Sequence, residues 1–137
     1  MRLATVEHDF WELLSGEESH REHPETFRIP PREQRESLQC GQAARLIFAI
    51  EGEEEDGKVS VQCERMWVIV AEKVGDVYIG ILDNQPACLG RSYDVYLRFG
   101  AEVPFRAEHV IDIGQPPDEY VEWQLGQPPD RVWPRED

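Results

Sequence analysis

Three apolar segments in the middle of the chain constrain its fold more than any other feature. They cover Ala44–Glu51, Val59–Lys73 and Val77–Leu82, and each is rich in the β-branched and aromatic residues that strands favour. An acidic segment with two glycines separates the first two, and Gly75 with Asp76 separates the last two. Short glycine-bearing connections join antiparallel strands, so the sequence predicts three successive hairpin-linked strands.

The segments that follow are shorter and complete an α+β prediction. Further extended runs are expected at Tyr93–Arg98, Val103–Arg106 and Glu108–Ile113. Gly80, in the middle of an apolar run, predicts a bulge or a close approach of another part of the chain. About five or six strands with one or two N-terminal helices give the α+β class. The glycine favours a strongly bent antiparallel sheet or a small, partly open barrel.

The N-terminal region is expected to supply the helices. Thr5–Leu14 has apolar residues at helical spacing and begins with a good N-cap, so it predicts an amphipathic helix that Gly16 ends. Residues 15–31 are polar and contain prolines, which is typical of a loop. Pro31 then favours a short helix over Arg32–Gln39, because proline suits the first helical turn.

The C-terminal region carries the pentapeptide GQPPD twice, at 114–118 and again at 126–130. Two copies do not make a repeat fold. They bracket one short helix or strand, which is expected to lay Tyr120, Trp123 and Leu125 across the domain.

Composition divides the chain into three parts. Residues 1–26 are predicted to form an N-terminal helix and an acidic loop, and residues 27–113 the core α+β domain. Residues 114–137 form a proline-rich acidic extension. Its last seven residues, 131–137, are expected to fray.

The charge of the chain bears on its partners. It has 28 acidic and 14 basic residues, a net charge of −14, and its acids are concentrated in the two ends and in segment 51–58. Negative surfaces repel phosphates and anionic lipids, so neither nucleic acid nor membrane is an expected partner. Charged loops and tails promote solubility. A more specific interpretation than solubility is that the acids form a face that docks a basic protein.

Cysteine usage and the lack of a long apolar segment bear on the compartment. No stretch approaches the roughly 18 apolar residues of a membrane span, and the acids near the N-terminus are atypical of a signal peptide. The cysteines, Cys40, Cys63 and Cys88, are odd in number and widely spaced. These features predict reduced thiols in a cytoplasmic protein. Cys88 follows a turn-like segment and is expected to be the most exposed.

Two groups of potentially metal-ligating residues are poor candidates for a metal site. His20 and His23 lie beside Pro24 in the expected loop, which favours solvated histidines. The acidic run Glu51–Asp56 lacks the alternating ligand spacing and central glycine of a calcium loop. No metal and no other cofactor is predicted.

Groups able to do acid–base chemistry occur without an enzyme motif. His109 with Asp83 or Asp112 would serve a small hydrolase or ligand-binding enzyme. His109 and Asp112 are three residues apart, however, so they fall on opposite faces of a strand. The nucleophile-elbow, metalloprotease and phosphate-loop motifs are absent. No catalytic residue is assigned, and an enzyme is the second hypothesis.

Three motifs carry a resemblance: ERMWV at Glu64–Val68, a G-x-L-x-N-x-P turn from Gly80 to Pro86, and a glycine-led segment from Gly100 to Asp112. Through them residues 27–113 resemble a bacterial family of uncharacterised domains. The acidic insertion at 51–58 and both ends depart from the family's pattern. Some relatives of such domains look like immunity proteins of bacterial toxin systems, which implies a binding role rather than catalysis.

The leading hypothesis is a non-catalytic bacterial cytoplasmic binding domain that docks a basic protein through an acidic rim. An immunity or inhibitor role is its concrete form. The bent sheet is expected to present an aromatic groove. The candidate binding surface comprises Trp67, Tyr78, Asn84, Tyr96, Phe105, His109 and Asp112.

A third hypothesis is a structural module that self-associates through Trp123 and Trp133. Both tryptophans lie in the C-terminal extension, where exposed aromatic rings would offer a contact surface. A monomer or a weak homodimer is expected under the leading hypothesis.

Overall fold

A curled antiparallel sheet organises the fold in a computed structural model that describes residues 1–53, 55–87 and 95–136. Its six strands are β1 (Trp11–Leu14), β2 (Ala43–Glu53), β3 (Val59–Val74), β4 (Val77–Leu82), β5 (Glu102–Phe105) and β6 (Asp112–Gly114). The spatial order is β1-β2-β3-β4-β5, and β6 pairs with the start of β2. The sheet bends into a half-barrel, which confirms the predicted α+β class and bent sheet.

Short helices connect and flank the strands. They are α1 (Val6–Asp9), α2 (Gly16–Glu22), α3 (Arg32–Glu36), α4 (Asp118–Leu125) and a 3-10 helix at Ala107–His109. The hydroxyls of Thr5 and Ser15 cap α1 and α2 by accepting backbone N–H groups at 3.3 and 3.1 Å. Within the described ranges, no helix has the length and apolar character needed to cross a membrane.

The three hairpin-linked strands predicted from the sequence are present as β2, β3 and β4. β4 has the predicted bounds, and β2 and β3 are slightly longer than predicted. Their side chains alternate between two faces, as the pleat of a strand requires. The face that packs into the core carries Ala44, Leu46, Phe48 and Ile50 from β2, and Met66, Val68 and Val70 from β3.

The predicted helix over Thr5–Leu14 is wrong beyond Asp9. Phe10 adopts a left-handed conformation (φ 67°), which ends α1. Trp11 then begins β1, pairs with Ile50 and is 1% exposed. The helical spacing of the apolar residues is therefore overridden by strand pairing, which buries the indole in the core.

The loop predicted for residues 15–31 is also partly wrong, because it contains α2. Gly16 begins this helix instead of ending the preceding one. A Cβ atom on Gly16 would lie 2.7 Å from Ile111 Cγ2, so close packing explains the glycine. The next helix begins after Pro31 as predicted, but α3 ends at Glu36 rather than at Gln39.

Two extended runs predicted after β4 differ in the structure. Residues 95–98 form no strand, and Tyr93 and Asp94 lie outside the described residues, as do Cys88 and Glu54. The predicted strand Glu108–Ile113 is divided between the 3-10 helix and β6. The backbone N–H of Arg106 donates to His109 Nδ1 at 2.9 Å, and this local bond holds the turn that replaces the strand.

Gly80 permits the close approach predicted from its position. A Cβ atom there would lie 2.6 Å from Val68 Cγ2 and 3.2 Å from the Phe105 ring. The pairing of β3 with β4 shifts register between Val70 and Glu72, so the irregularity lies on the neighbouring strand. The missing side chain lets β3, β4 and β5 curve around a filled core.

The C-terminal segment closes one side of the half-barrel, so the prediction that residues 131–137 fray is wrong over its described part. Trp133 is 2% exposed, and its Nε1 donates to the Arg2 carbonyl at 3.0 Å. The Trp133 backbone N–H donates to Glu102 Oε1 at 2.9 Å. Arg135 pairs with the same carboxylate at 2.8 Å.

An aromatic cluster of Trp11, Tyr96 and Trp133 fills the space behind this closure. Trp11 stacks on Tyr96 with ring centroids 6.1 Å apart, and Trp133 meets both rings edge-on at 5.8 and 5.4 Å. Residues from both ends of the chain and from the connection before β5 therefore share one core.

Gly80→Ala should destabilise the protein by about 1–3 kcal/mol, because the added methyl group collides with the Cβ of Val68, which the backbone fixes. Gly52→Ala is the matched control, since a Cβ at Gly52 meets nothing within 4 Å and its effect should stay within about 0.5 kcal/mol. Urea unfolding measures both. Equal stabilities would contradict the close approach.

Trp133→Ala should cost about 3–5 kcal/mol, because it empties a buried site and leaves the Arg2 carbonyl without its donor. Val132→Ala is the control, since Val132 is 64% exposed and should change stability by less than about 0.5 kcal/mol. Thermal unfolding compares the two. A Trp133→Ala protein as stable as the wild type would show that the C-terminal segment is not part of the core.

Candidate functional site

The predicted aromatic groove does not exist as a single surface, because Tyr78 and Phe105 belong to the core. Tyr78 is 1% and Phe105 0% exposed, and their rings stack with centroids 5.2 Å apart. The Tyr78 hydroxyl donates to the Arg35 carbonyl at 3.1 Å and accepts from the Leu38 N–H at 3.2 Å. Tyr78 therefore fixes α3 against the sheet.

Tyr96 also has a structural role. Its hydroxyl donates to the Glu102 carbonyl at 2.7 Å, and its ring lies in the aromatic cluster. Burial, followed by the nearby Glu102 charge, raises the pKa of Tyr96 well above its ordinary value. The Tyr96 side chain is therefore a neutral phenol in the core.

Trp67 is the member of the predicted groove that lies on the outer face of the sheet. Met66 and Val68 face the core, so the indole between them points the opposite way and is half-buried. It lines an open groove of about 290 Å³. The groove is formed by Ala43, Trp67, Ile69, Asp83, Gly114, Gln115 and Pro116.

Asn84 holds the backbone beneath this tryptophan. Its Oδ1 accepts the Trp67 N–H at 2.8 Å, and the Asp83 N–H donates to the Trp67 carbonyl at 2.9 Å. The amide side chain takes the place of a strand partner just where β4 ends. Asn84 therefore positions the groove rather than lining it.

Asp83 is the charged group of the groove. Its Oδ1 accepts hydrogen bonds from the Tyr120 hydroxyl and from Gln124 Nε2, the latter at 3.0 Å. Both donors come from α4, and Gln124 is 4% exposed. Burial, followed by the hydrogen bond to Asp83, raises the pKa of Tyr120 to about 12. Two neutral donors hold this carboxylate, and no basic side chain in the described residues pairs with it.

The sequence prediction missed this arrangement. It placed Asp83 with His109 and expected Tyr120, Trp123 and Leu125 to lie across the domain. In the structure Trp123 points outward and is 53% exposed, and its ring lies 5.7 Å from that of Tyr120. The sequence feature that points to the Asp83 donors is the i, i+4 spacing of Tyr120 and Gln124, which puts them on one helix face.

These groups form what we call the aromatic–acidic surface. It consists of the groove residues Trp67 and Asp83 together with Tyr120, Trp123 and the acids of α4, which are Asp118, Glu119 and Glu122. α4 contains no basic residue, so its electrostatic field is negative. Aromatic rings beside uncompensated carboxylates are suited to bind cationic side chains.

One arginine approaches the surface from the other side. The Arg45 guanidinium lies 5.8 Å from the centre of the Trp67 ring. Its register partner Asp112 is exposed, and the Asp112 carboxylate accepts the backbone N–H of Ile113 at 2.9 Å instead of pairing with it. Asp112 therefore lies on the rim of the outer face, and Arg45 packs on the indole as a fixed part of the sheet.

His109 does not form the predicted dyads. It is 6% exposed, its Nδ1 accepts from Arg106, and its Nε2 lies 3.6 Å from Glu108 Oε1. Neither Asp83 nor Asp112 makes a hydrogen bond or an ion pair with it among the described residues. Burial, followed by the Arg106 charge, lowers the pKa of His109 to about 4. The imidazole is a neutral core group.

A second, larger cleft of about 510 Å³ lies between α2, α3, the 3-10 helix and the β3–β4 turn. Its lining residues are Glu17, Arg32, Glu36, Lys73, Asp76, Tyr78, Arg106, Ala107 and Glu108. Its acids and bases largely pair with each other, as Arg32 does with Glu36 at 2.6 Å. Among the residues that the structure describes, its lining includes no cysteine or serine.

The expected metal-binding groups are not assembled either. His20 lies in α2, not in a loop, and its Nδ1 donates to the Phe27 carbonyl at 2.6 Å. In the part of the chain that the structure describes, no three His, Cys, Asp or Glu side chains are grouped to hold a metal ion. Cys40 and Cys63 are free and exposed, and Cys88 lies outside the described residues.

Comparison of the chain with protein-family models, with curated proteins and with solved structures finds no match. The resemblance based on ERMWV and the turn from Gly80 to Pro86 therefore stays a prediction.

The depressed pKa of His109 predicts acid sensitivity. Below the ordinary His value of 6.5 and down to about 4, the unfolded chain binds a proton that the folded protein does not. The free energy of unfolding should therefore fall as the pH drops through this window, by roughly 3 kcal/mol in total. Above pH 7 this contribution should be constant.

His109→Asn removes the titrating group while keeping an acceptor for the Arg106 N–H. The variant should lose less stability than the wild type between pH 7 and 4.5, as measured by urea unfolding at each pH. His23→Asn, at an exposed position, should keep the wild-type slope. Identical pH slopes for His109→Asn and the wild type would show that His109 does not titrate in this way.

Proposed function

We propose that this chain is a non-catalytic binding domain that docks a basic segment of a protein partner on the aromatic–acidic surface. Asp83 carries the proposal. It is a carboxylate at the side of an open groove, held in place by Tyr120 and Gln124 without a basic partner among the described residues. A lysine or arginine from another protein would supply the missing positive charge.

The groove is built to hold the whole of such a side chain. Neutral donors occupy Asp83 Oδ1, and Oδ2 has no hydrogen-bond partner in the described part of the chain. The aliphatic stem of a lysine or arginine would pack on Trp67 while its head reaches this oxygen. Gly114 and Pro116 line the same groove.

The charge of the molecule supports the same choice of partner. The net charge is −14, and residues 108–137, which contain α4, hold eight acids against two bases. A negative field of this kind accelerates association with a basic protein, and this acceleration becomes smaller as the salt concentration rises. It also disfavours an acidic partner or a nucleic acid.

The concrete form of the proposal is an inhibitor or immunity role in a bacterial cytoplasm, directed at a basic enzyme or toxin. Such a role needs a complementary surface and no chemistry. The buried neutral His109 and the lack of a cysteine or serine among the described residues that line the larger cleft are consistent with it.

A binding assay with a fluorescein-labelled peptide, acetyl-Gly-Gly-Lys-Arg-Gly-Gly-amide, tests the groove. Trp67→Ala should weaken binding by about 2 kcal/mol, or roughly 30-fold, because the indole is the anchoring surface. Asp83→Asn should also weaken it. Glu25→Gln removes the same charge at an exposed site outside the groove and should leave the affinity within about twofold.

Salt dependence and a charge-reversed peptide complete this test. Binding should weaken between 50 and 500 mM salt, and the peptide with Glu in place of Lys and Arg should not bind. Equal affinity at both salt concentrations, or equal affinity of Asp83→Asn and the wild type, would falsify the proposal.

A further inference from the structure

The two halves of β3 have different surroundings. Residues 68–70 have hydrogen-bonded neighbours on both edges, in β4 and in the segment from Gly41 into β2. Residues 59–67 pair with β2 alone among the described strands. Residues 68–70 are buried, whereas five of the nine residues 59–67 are exposed. β3 therefore continues past β4 as an arm with a single neighbour among the described strands.

The direction of the backbone groups along this arm follows from three hydrogen bonds. The Val70 N–H donates to the Gln42 carbonyl, and the Val70 carbonyl accepts from the Gly41 N–H, so even-numbered residues of β3 face β2. The Trp67 carbonyl accepts from Asp83 on the opposite side. Odd-numbered residues therefore direct their N–H and C=O groups away from β2.

These outward groups form an open edge, which we define as Val59, Val61, Cys63 and Arg65. Their backbone N–H and C=O groups have no hydrogen-bond partner among the described residues. Val59 is 61% and Val61 54% exposed. Long exposed edges with apolar side chains pair readily with another strand, and proteins usually protect them.

We propose that the open edge is a docking site for an extended, basic segment of a partner protein, which adds to the sheet as a further strand beside β3. Backbone hydrogen bonds would supply affinity, and the exposed valines would contact alternate side chains of the added strand. The inference goes beyond the groove but rests on the proposed function for the basic character of the partner.

Charge favours a basic occupant. Residues 51–58, which comprise the end of β2 and the hairpin connection beside this edge, contain five acids and one base. Lys58 pairs only distantly with Asp56, at 3.9 Å, so the connection keeps a negative field. Lysine or arginine on the added strand would lie in that field.

The local geometry disfavours a second copy of this chain. The Trp67 N–H already donates to Asn84 Oδ1, and the Ala87 N–H donates to Glu64 Oε1 at 3.0 Å. An added strand therefore cannot pair with β3 beyond Arg65. An antiparallel copy of the same long hairpin would have to extend its tip across this block. Two molecules that each carry a charge of −14 also repel. A short strand avoids both obstacles.

The probe for this site is a labelled pentapeptide, acetyl-Lys-Val-Lys-Val-Lys-amide. It should bind the wild-type protein, and its fully N-methylated form, which cannot donate backbone hydrogen bonds, should bind at least tenfold more weakly. An acetyl-Glu-Val-Glu-Val-Glu-amide peptide should not bind. Amide hydrogen exchange at Val59, Val61 and Cys63 should slow in the complex.

Val61→Pro is the decisive variant. The Val61 N–H has no partner among the described residues, so proline at this edge position should leave the fold intact while removing one donor and blocking the edge. Binding of the pentapeptide should fall at least tenfold. Val61→Thr keeps both the N–H and the β-branched shape, and its affinity should stay within threefold of the wild type.

Trp67→Ala separates this inference from the proposed function. Pentapeptide binding that survives Val61→Pro but is lost with Trp67→Ala would overturn strand addition and leave the groove proposal standing. Equal binding of the N-methylated peptide would also overturn strand addition. A wild-type dimer that Val61→Pro dissociates, measured by analytical ultracentrifugation, would identify a second copy as the occupant and overturn the basic partner.

Discussion

The pairing of β2 with β3 is the interaction on which the rest of the structure depends. All 11 residues of β2 are paired with β3, and the opposite edge of β2 pairs with both β1 and β6. β2 is apolar over most of its length, and its residues 46–50 are all buried. The position of every functional group described above is set relative to this ladder.

The ladder separates an inner and an outer face of the sheet. Its inner face is closed by residues from distant parts of the chain, including Trp11, Tyr96 and Trp133, and by the ion pair of Glu102 with Arg135. Burial raises the pKa of the Glu102 carboxyl, but the hydrogen bonds from Arg135 and the Trp133 N–H outweigh it and hold the pKa below its usual value. The outer face carries Trp67 and the groove.

The central strands could be predicted from the sequence because their evidence is local. β-branched runs and glycine turns specify β2, β3 and β4 without reference to the rest of the chain. The N-terminal region could not be predicted in this way. The helical spacing before Leu14 is real, but Trp11 gains more from pairing with β2 and from burial, and that partner is 39 positions away in sequence, at Ile50.

The candidate site was predictable only in part, for a related reason. Trp67 and Asn84 were identified from the sequence, and they do lie at the groove. Tyr78 and Phe105 were assigned to the same surface, although their position on the inner face is decided by strand register. Asp83 was noticed, but its donors Tyr120 and Gln124 come from a helix whose docking position no local pattern specifies.

The unequal surroundings of β3 have a consequence for how this protein can diverge. Residues 68–70 are buried and have hydrogen-bonded neighbours on both edges, so most changes there disturb packing. The arm has one neighbour and largely exposed side chains, so substitutions there have small effects on folding stability. Substitutions can therefore accumulate on the arm at little cost to folding, so two parts of one continuous strand differ in their tolerance to change.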